Sequence, residues 1–338
     1  MRLDEACEPV FARHETFHPR WGWVKKGYDA STRTPGAFTA DDATLQLGVG
    51  KNMVRAIRFW SLAAKATVER VDPDRPRMSL VHPSSAGHSV FAEDGFDPYS
   101  EDPGTLWLLH WLLLAPACSL PVWWAAFHEF GAVEFSEETL TAFVTDQVNA
   151  VSAWSAPHPS SIAKDVSCLL RTYAPSVSAR QTFDDLVDCP MRELGLLRVV
   201  DPSKRAYRFA VGGKATLPAD IVLFAALDFL ARSDADSRTV TISRLATEPG
   251  SPGRAFKLSE ADVIDLIERA AVDAEDVHLA RPAGVTQLGF DDDADVVADR
   301  VLARFYARVR AGTIAGPVAG SATAAVFGAD EFAIGGAR

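Results

Sequence analysis

Residues 39–64 read Thr-Ala-Asp-Asp-Ala-Thr-Leu-Gln-Leu-Gly-Val-Gly-Lys-Asn-Met-Val-Arg-Ala-Ile-Arg-Phe-Trp-Ser-Leu-Ala-Ala. Thr39 stands where a helix cap belongs, and Asp41 and Asp42 place negative charge in the first turn. The short helix so opened stops at Gly48-Val49-Gly50, because glycine tolerates positive φ. A longer helix follows, from Lys51 to about Ala64. Its apolar positions Met53, Val54, Ile57, Trp60 and Ala64 form one stripe. Lys51, Arg55 and Arg58, at i, i+4 and i+7, put three cations on a second face. Upstream, 20–30 reads as another helix. Downstream, 67–71, 78–82 and 89–92 are short β-prone pieces between Pro73, Pro76, Pro83 and Gly87, a hairpin with a mobile tip. Helix, helix, tight turn, helix, hairpin is the order of a winged helix-turn-helix.

The rest of the chain also favours helix. Asp102-Pro103 opens one through Leu114, 121–130 gives another, Ser136-Glu137-Glu138 a third, and Ser160 or Ser161 a fourth that ends before Pro175. Further helices are expected at 182–194, 219–231, 259–272 (Ser259 and Asp262 as cap pair) and 294–310. Hairpins fall at 197–211 and 277–290, with a short segment near 242–247. The fold class is mainly α: a winged-helix-like N-terminal unit and a helical C-terminal portion carrying small β-hairpins. All eight tryptophans lie between Trp21 and Trp154, which sets an aromatic-rich unit at 1–130 apart from a helical domain at 131–310. The latter has room for a second winged-helix-like unit. Residues 311–338 hold 6 Gly and 9 Ala with three charges, the composition of a flexible tail or partner-docking segment.

At 338 residues, 48% hydrophobic and 23% charged, the chain is neither disordered nor collagenous. No apolar run reaches the roughly 18 residues that cross a bilayer. The acidic opening lacks the basic-then-apolar order of an export signal, and the four cysteines are far apart with no CxxC, so a reduced cytoplasmic protein is expected. Net charge is −11, but residues 1–92 hold 13 Lys and Arg against 10 Asp and Glu (+3), while 93–338 hold 21 against 35 (−14). One end of the chain suits phosphate; the other repels it.

Several motifs bear on chemistry. Asn52, beside the three cations at the start of the longer helix, sits where a recognition helix meets base edges; the bland alternative is a solvated basic face. Arg20, Lys25 and Lys26 flank Trp21 and Trp23, a pattern for tracking a nucleic-acid backbone, unless both tryptophans are core. His14-Glu15-Thr16-Phe17-His18 matches the HExxH zinc-protease pattern, but Pro9 and Pro19 deny it a long helix. Gly48–Lys51 fails the phosphate-loop pattern at Leu45 and Asn52. Glu15 stands next to His14, with Asp29 on the following helix, and Asp94, Asp97, Glu101 and Asp102 crowd a Gly/Pro-containing loop at a helix entrance. Converging carboxylates hold hard divalent ions such as magnesium, although Glu101 and Asp102 are also what a helix N-terminus prefers. His110 reads as a hydrogen-bonded core residue.

Four blocks carry a family likeness: Phe11-Ala-Arg-His-Glu-Thr-Phe17; Gly22-Trp-Val-Lys-Lys-Gly27; 47–54 with Ile57-Arg-Phe-Trp60; and Asp97-Pro-Tyr-Ser-Glu-Asp102 with Leu106-Trp-Leu-Leu-His-Trp111. In this order they resemble the SspB family, the nicking component of bacterial single-stranded DNA phosphorothioation systems, over about residues 10–130. The resemblance implies a magnesium-dependent DNA nickase in phosphorothioate modification and antiphage defence. It implies as partners double-stranded DNA, a cysteine desulfurase and ATP-using sulfur-transfer proteins, with no membrane and with a homodimer open to it. It also makes His18 incidental. The catalytic candidates, read from the residues, are His14, Glu15, Lys25 and Asp29. The DNA-binding candidates are Arg20, Lys26, Lys51, Asn52, Arg55 and Arg58. The magnesium (Mg2+) candidates are Glu15, Asp97, Glu101 and Asp102. A winged-helix adaptor or regulator without chemistry is the alternative.

Overall fold

The computed structural model describes residues 1–174, 189–233 and 237–312. After a short α1 (Leu3–Ala6), the N-terminal portion runs α2 (Trp23–Arg33), α3 (Ala43–Leu47), α4 (Lys51–Ala63), β1 (Thr67–Val71) and β2 (Ser79–Pro83), the element order expected from the sequence. Gly48 takes the left-handed conformation (φ 64°) that ends α3, and Gly50 opens α4 in extended backbone. Val54, Ile57 and Trp60 are buried along α4, joined by Ala56, Phe59 and Ala63. α4 packs on α2 at closest approach beside Gly27, where an added Cβ would stand 2.4 Å from Ser61 Cβ. β1 and β2 pair antiparallel from Thr67↔Pro83 to Val71↔Ser79.

Local expectations are corrected at two places in this portion. Thr39 does not cap α3; its hydroxyl donates to the Gly36 carbonyl, and Asp42 occupies the N-cap position. Residues 89–92 are not a third strand, because Ser84 accepts from Gly87 N–H (2.8 Å) and so nucleates α5 (Ser85–Phe91).

α6 (Pro103–Leu114) is buried on every side from Gly104 to Leu114, the mark of a central helix with no solvent face. α7 (Pro121–Trp124) continues into a π-helical turn, Ala125–Glu129. Then come β3 (Phe135–Ser136), α8 (Glu137–Ala150), α9 (Pro159–Tyr173), a 3-10 turn (Pro190–Leu194), β4 (Leu197–Asp201) and β5 (Ala206–Phe209). The serine expected to open α9 gives way to His158, whose ring accepts from Ser160 N–H. Most of the helix expected at 182–194 lies outside the described residues, as does the tail from 313. The chain closes with α10 (Ala219–Ser233), β6 (Thr239–Thr241), α11 (Ile242–Thr247), α12 (Pro252–Ala255), α13 (Glu260–Ala271), β7 (Val277–Ala280), β8 (Gln287–Phe290) and α14 (Ala294–Arg310).

The result is mainly helical, with one two-stranded and two three-stranded antiparallel sheets among the described residues. β3 pairs with β5, so the middle of the chain lends a strand to the second hairpin. One buried apolar cluster includes residues from Leu3 to Val309, with α6, α7, α10 and α14 contributing to its centre. The acidic loop after α5 is held by that cluster's far end. Phe96 stacks on Tyr306 of α14 (4.7 Å between centroids, 4° between planes), and Arg310 donates to the Gly95 carbonyl at 2.6 Å.

Candidate nucleic-acid interface

α4 presents its charged side to solvent because its apolar stripe satisfies the burial the helix needs. Lys51 and Asn52 are exposed in its first turn, and Arg55 follows on the same face. Arg55 reaches Glu15 at 3.3 Å with its side chain 55% exposed. Arg58 pairs with Glu69 of β1 and is 35% exposed. Ion pairs this open contribute little to stability, about 0–1 kcal/mol, and exchange readily for another anion. Arg55, Arg58, Glu15 and Glu69 line one basin of about 670 Å³, together with Arg13 and Glu8. Three guanidinium groups and three carboxylates therefore share its wall.

Glu15 is presented by a strained loop. Ala12, Glu15 and Thr16 all have positive φ (55°, 51° and 66°), which costs roughly 1–3 kcal/mol each for residues with a Cβ. The strain is held by Asp165 of α9. Its carboxylate accepts from Ala12 N–H (2.9 and 3.1 Å) and from His14 Nε2 at 2.6 Å. Thr16 N–H donates to His14 Nδ1 (3.0 Å), so the proton on the ring sits on Nε2. Arg171 donates to the Thr16 carbonyl at 2.7 Å, and Trp60 Nε1 to that of Phe17 at 3.0 Å. Burial raises the Asp165 pKa, and the His14 bond offsets part of that rise. His14 itself is 1% exposed with both nitrogens engaged. It faces the interior, not the basin, and ties the loop that carries Glu15 to α9. Because residues 13–16 form a turn and 17–18 have no regular structure, the HExxH spacing has no common helical face.

The other sequence candidates scatter. Trp23 is buried (5%) and Trp21 half out (37%), so only one of the pair is core. Arg20 lies over the Trp23 ring at 5.6 Å. Lys26 is exposed and reaches the Leu47 carbonyl at 3.3 Å. Lys25 pairs with Asp29 at 2.6 Å one turn along α2 and leans over Tyr99 at 5.7 Å, towards the acidic loop instead of Glu15.

The expected magnesium set is not assembled. Asp97, Glu101 and Asp102 border a separate depression of about 220 Å³ with Arg310, whereas Glu15 belongs to the basin. Asp97 is buried and spends its oxygens on Glu101 N–H (2.9 Å), Asp102 N–H (3.0 Å) and Thr105 Oγ1 (2.6 Å). Asp102 caps α6 through Gly104 N–H (2.7 Å), and burial raises its pKa. These two acids build the entry to α6. Among the described residues, no three His, Cys, Asp or Glu side chains gather in a way that could hold a metal ion. His110 is, as expected, a core residue, bonded to Tyr173 Oη (2.8 Å) and the Ala255 carbonyl (3.0 Å).

Sequence reasoning missed Arg13, Glu69, Asp165 and Arg171. Arg13 stood next to the chosen His14 and Glu15, but Asp165 and Arg171 meet the loop only through a contact spanning some 150 residues. No local pattern signals that.

A mainly helical protein with an outward basic helix is the class that fold and site define, and the family described as "Protein of unknown function (DUF4007)" matches residues 11–306. Two solved structures, an SspB crystal structure and a magnesium ion-bound SspB crystal structure, are each 41% identical to this chain with a TM-score of 0.86. The first aligns over 92% of both chains and the magnesium-bound one over 91%. The chain belongs to the SspB family, within DUF4007. No curated protein matches it. No helix among the described residues is long and apolar enough to cross a membrane.

Proposed function

We propose that this chain binds double-stranded DNA on the exposed face of α4 and nicks it, with magnesium, in bacterial phosphorothioate modification and defence. The observation that carries this reading is the joint exposure of Lys51, Asn52 and Arg55 on one helical face that opens onto an arginine-lined basin. Cations in that arrangement fix a duplex by its phosphates, while an asparagine at the helix start reaches adenine edges. In this reading residues 1–130 carry docking and chemistry. A cysteine desulfurase and ATP-using sulfur-transfer proteins act on the opened strand, and a homodimer is compatible with it.

The basin supplies a physical route to activation. Arriving phosphates take Arg55 and Arg58 from Glu15 and Glu69, which frees both carboxylates. Magnesium is usually held by one or two carboxylates together with substrate phosphates, so Glu15 and Glu69 fit that demand and the acidic loop does not. When bound, the ion supplies Lewis acidity at the scissile phosphate and a more acidic water. The chain's own part is to clamp phosphate with Arg13, Arg55 and Arg58, and to hold Glu15 through the His14–Asp165 brace.

The second reading is an adaptor that reads DNA and recruits the sulfur-transfer proteins without chemistry. It is favoured by Lys51 and Asn52, which are exposed on α4 but do not line the basin that holds the carboxylates. Supercoiled plasmid separates the two. The enzyme relaxes it with magnesium, stops with EDTA, and fails as Glu15→Ala while still binding DNA. Relaxation by Glu15→Ala at the wild-type rate would remove the catalytic assignment, and no relaxation by wild type would leave the adaptor.

A further inference from the structure

Two lysines are buried here, and they are not equivalent. Both have left-handed backbone, Lys65 at φ 56° and Lys257 at φ 54°. Both place the ammonium on carbonyls near the end of a buried helix, where partial negative charge collects. Lys65 Nζ donates to Leu112 O (2.5 Å) and Ala115 O (2.8 Å) at the end of α6. Lys257 Nζ donates to Phe127 O (2.6 Å), with Ala126 O at 3.5 Å, in the π-helical turn after α7. The difference lies in the remaining charge. After burial, Lys65 is acted on first by Cys118, then by Arg232 against its charge and by the buried carboxylate of Asp228 in favour of it. No carboxylate pairs with Lys257 among the described residues, and its charged neighbour is Arg254, which repels it. His110 and His128 are the nearby titratable groups. Burial pushes the first down to about 4 and the second well below its usual value, so both are neutral. Lys214 donates to the Gly212 carbonyl and meets Lys257 at its backbone carbonyl, 3.4 Å away.

Lys257 also lines an open depression of about 210 Å³. Its ammonium lies 4.1 Å from the Phe209 ring centroid and 5.3 Å from that of Phe127. Phe130 and Leu258 extend the apolar lining, Arg254 adds a second cation, and Val133 and Val211 form a lip that is 75% and 70% exposed. A buried ammonium with no counter-ion is costly, and two large apolar side chains held out in water beside it add to the cost. One ligand would relieve both.

We infer that this depression binds a small organic anion, with Lys257 and Arg254 taking the oxyanion and Phe130, Val133 and Val211 covering an apolar body. The depression is small and open to solvent, and it suits a single ring or a short chain. Without the ligand, burial drags Lys257 down to about 7. A bound anion favours the protonated form, so binding at pH 8 must take up a proton.

Isothermal titration of the full chain with sodium benzoate, in two buffers of different ionisation enthalpy, tests this. Saturable binding is expected at pH 6.5, with proton uptake and about tenfold loss of affinity for each unit of pH above 7. Lys257→Met should abolish saturable binding, and Arg254→Ala should weaken it about five- to tenfold. If Lys257→Met does not fold, as judged by its melting curve, Arg254→Ala alone decides. No saturable benzoate binding to wild type, or binding unchanged in the variants, overturns the site. Inorganic phosphate binding as tightly as benzoate overturns the apolar part of the assignment.

Discussion

Residues 51–58 and 94–102 are both short, densely charged stretches beside glycine, yet they end in opposite places. The first keeps Lys51, Asn52 and Arg55 in solvent; the second turns Asp97 and Asp102 inward. On α4 a complete apolar stripe meets the core, and the long cationic stems can only extend away from it. In the loop the acids are short, so they bond nearby backbone N–H groups and build a helix cap, while Phe96 is drawn onto Tyr306. A charge cluster on long stems opposite a finished apolar face stays available to a partner. One on short stems around a turn tends to be used by the chain itself.

The contrast can be broken experimentally. Asp97→Ala leaves two backbone N–H groups and a hydroxyl without their acceptor, and should cost about 3–5 kcal/mol in urea unfolding while DNA affinity of the folded protein is kept. A loss under 1 kcal/mol would mean that the loop is not structural. On α6, His110 is neutral and fully buried, its pKa depressed by burial to about 4. Its contribution is complete above its unfolded value of 6.5 and is lost as pH falls through 4, on the order of 3 kcal/mol. Urea midpoints measured from pH 7 to 4 should fall along that window in wild type and fall less steeply in His110→Phe, in which buried His128 still adds its own acid-side loss.

For the outward stretch, replacing Lys51, Arg55 and Arg58 together by Ala should weaken DNA binding on the order of 100-fold and reduce the salt slope by about three, with unchanged unfolding. Equal affinity by fluorescence anisotropy would leave α4 a merely solvated face. The smallest change is Tyr306→Phe. It removes one buried bond to Thr105 Oγ1 (2.9 Å) and should cost about 1 kcal/mol, read as a small shift in melting temperature.

Much of the architecture was legible locally. The cap pair Ser259 and Asp262 forms the expected reciprocal box, and α14 runs Ala294–Arg310 as its pattern required. The turn at Gly48 and the stripe on α4 followed from φ preference and periodicity. Thr39 misled because a threonine near two acids fits a cap equally well with or without its hydroxyl free, and here the Gly36 carbonyl takes it. For the candidate site, the sequence pointed to Glu15, Arg55 and Arg58 as separate residues, with no reason for them to share a basin with Glu69 and Arg13.

What the sequence by itself determined is whatever depends on neighbours within a few residues: helix starts and stops, the burial of Val54, Ile57 and Trp60, and therefore which side of α4 remains wet. Only the tertiary structure decided that Asp165 would brace the strained loop carrying Glu15, and that α14 would pin the acidic loop away from it. Both decisions rest on contacts between residues more than 150 positions apart. Such contacts are selected by the packing of one shared core, which no local spacing encodes.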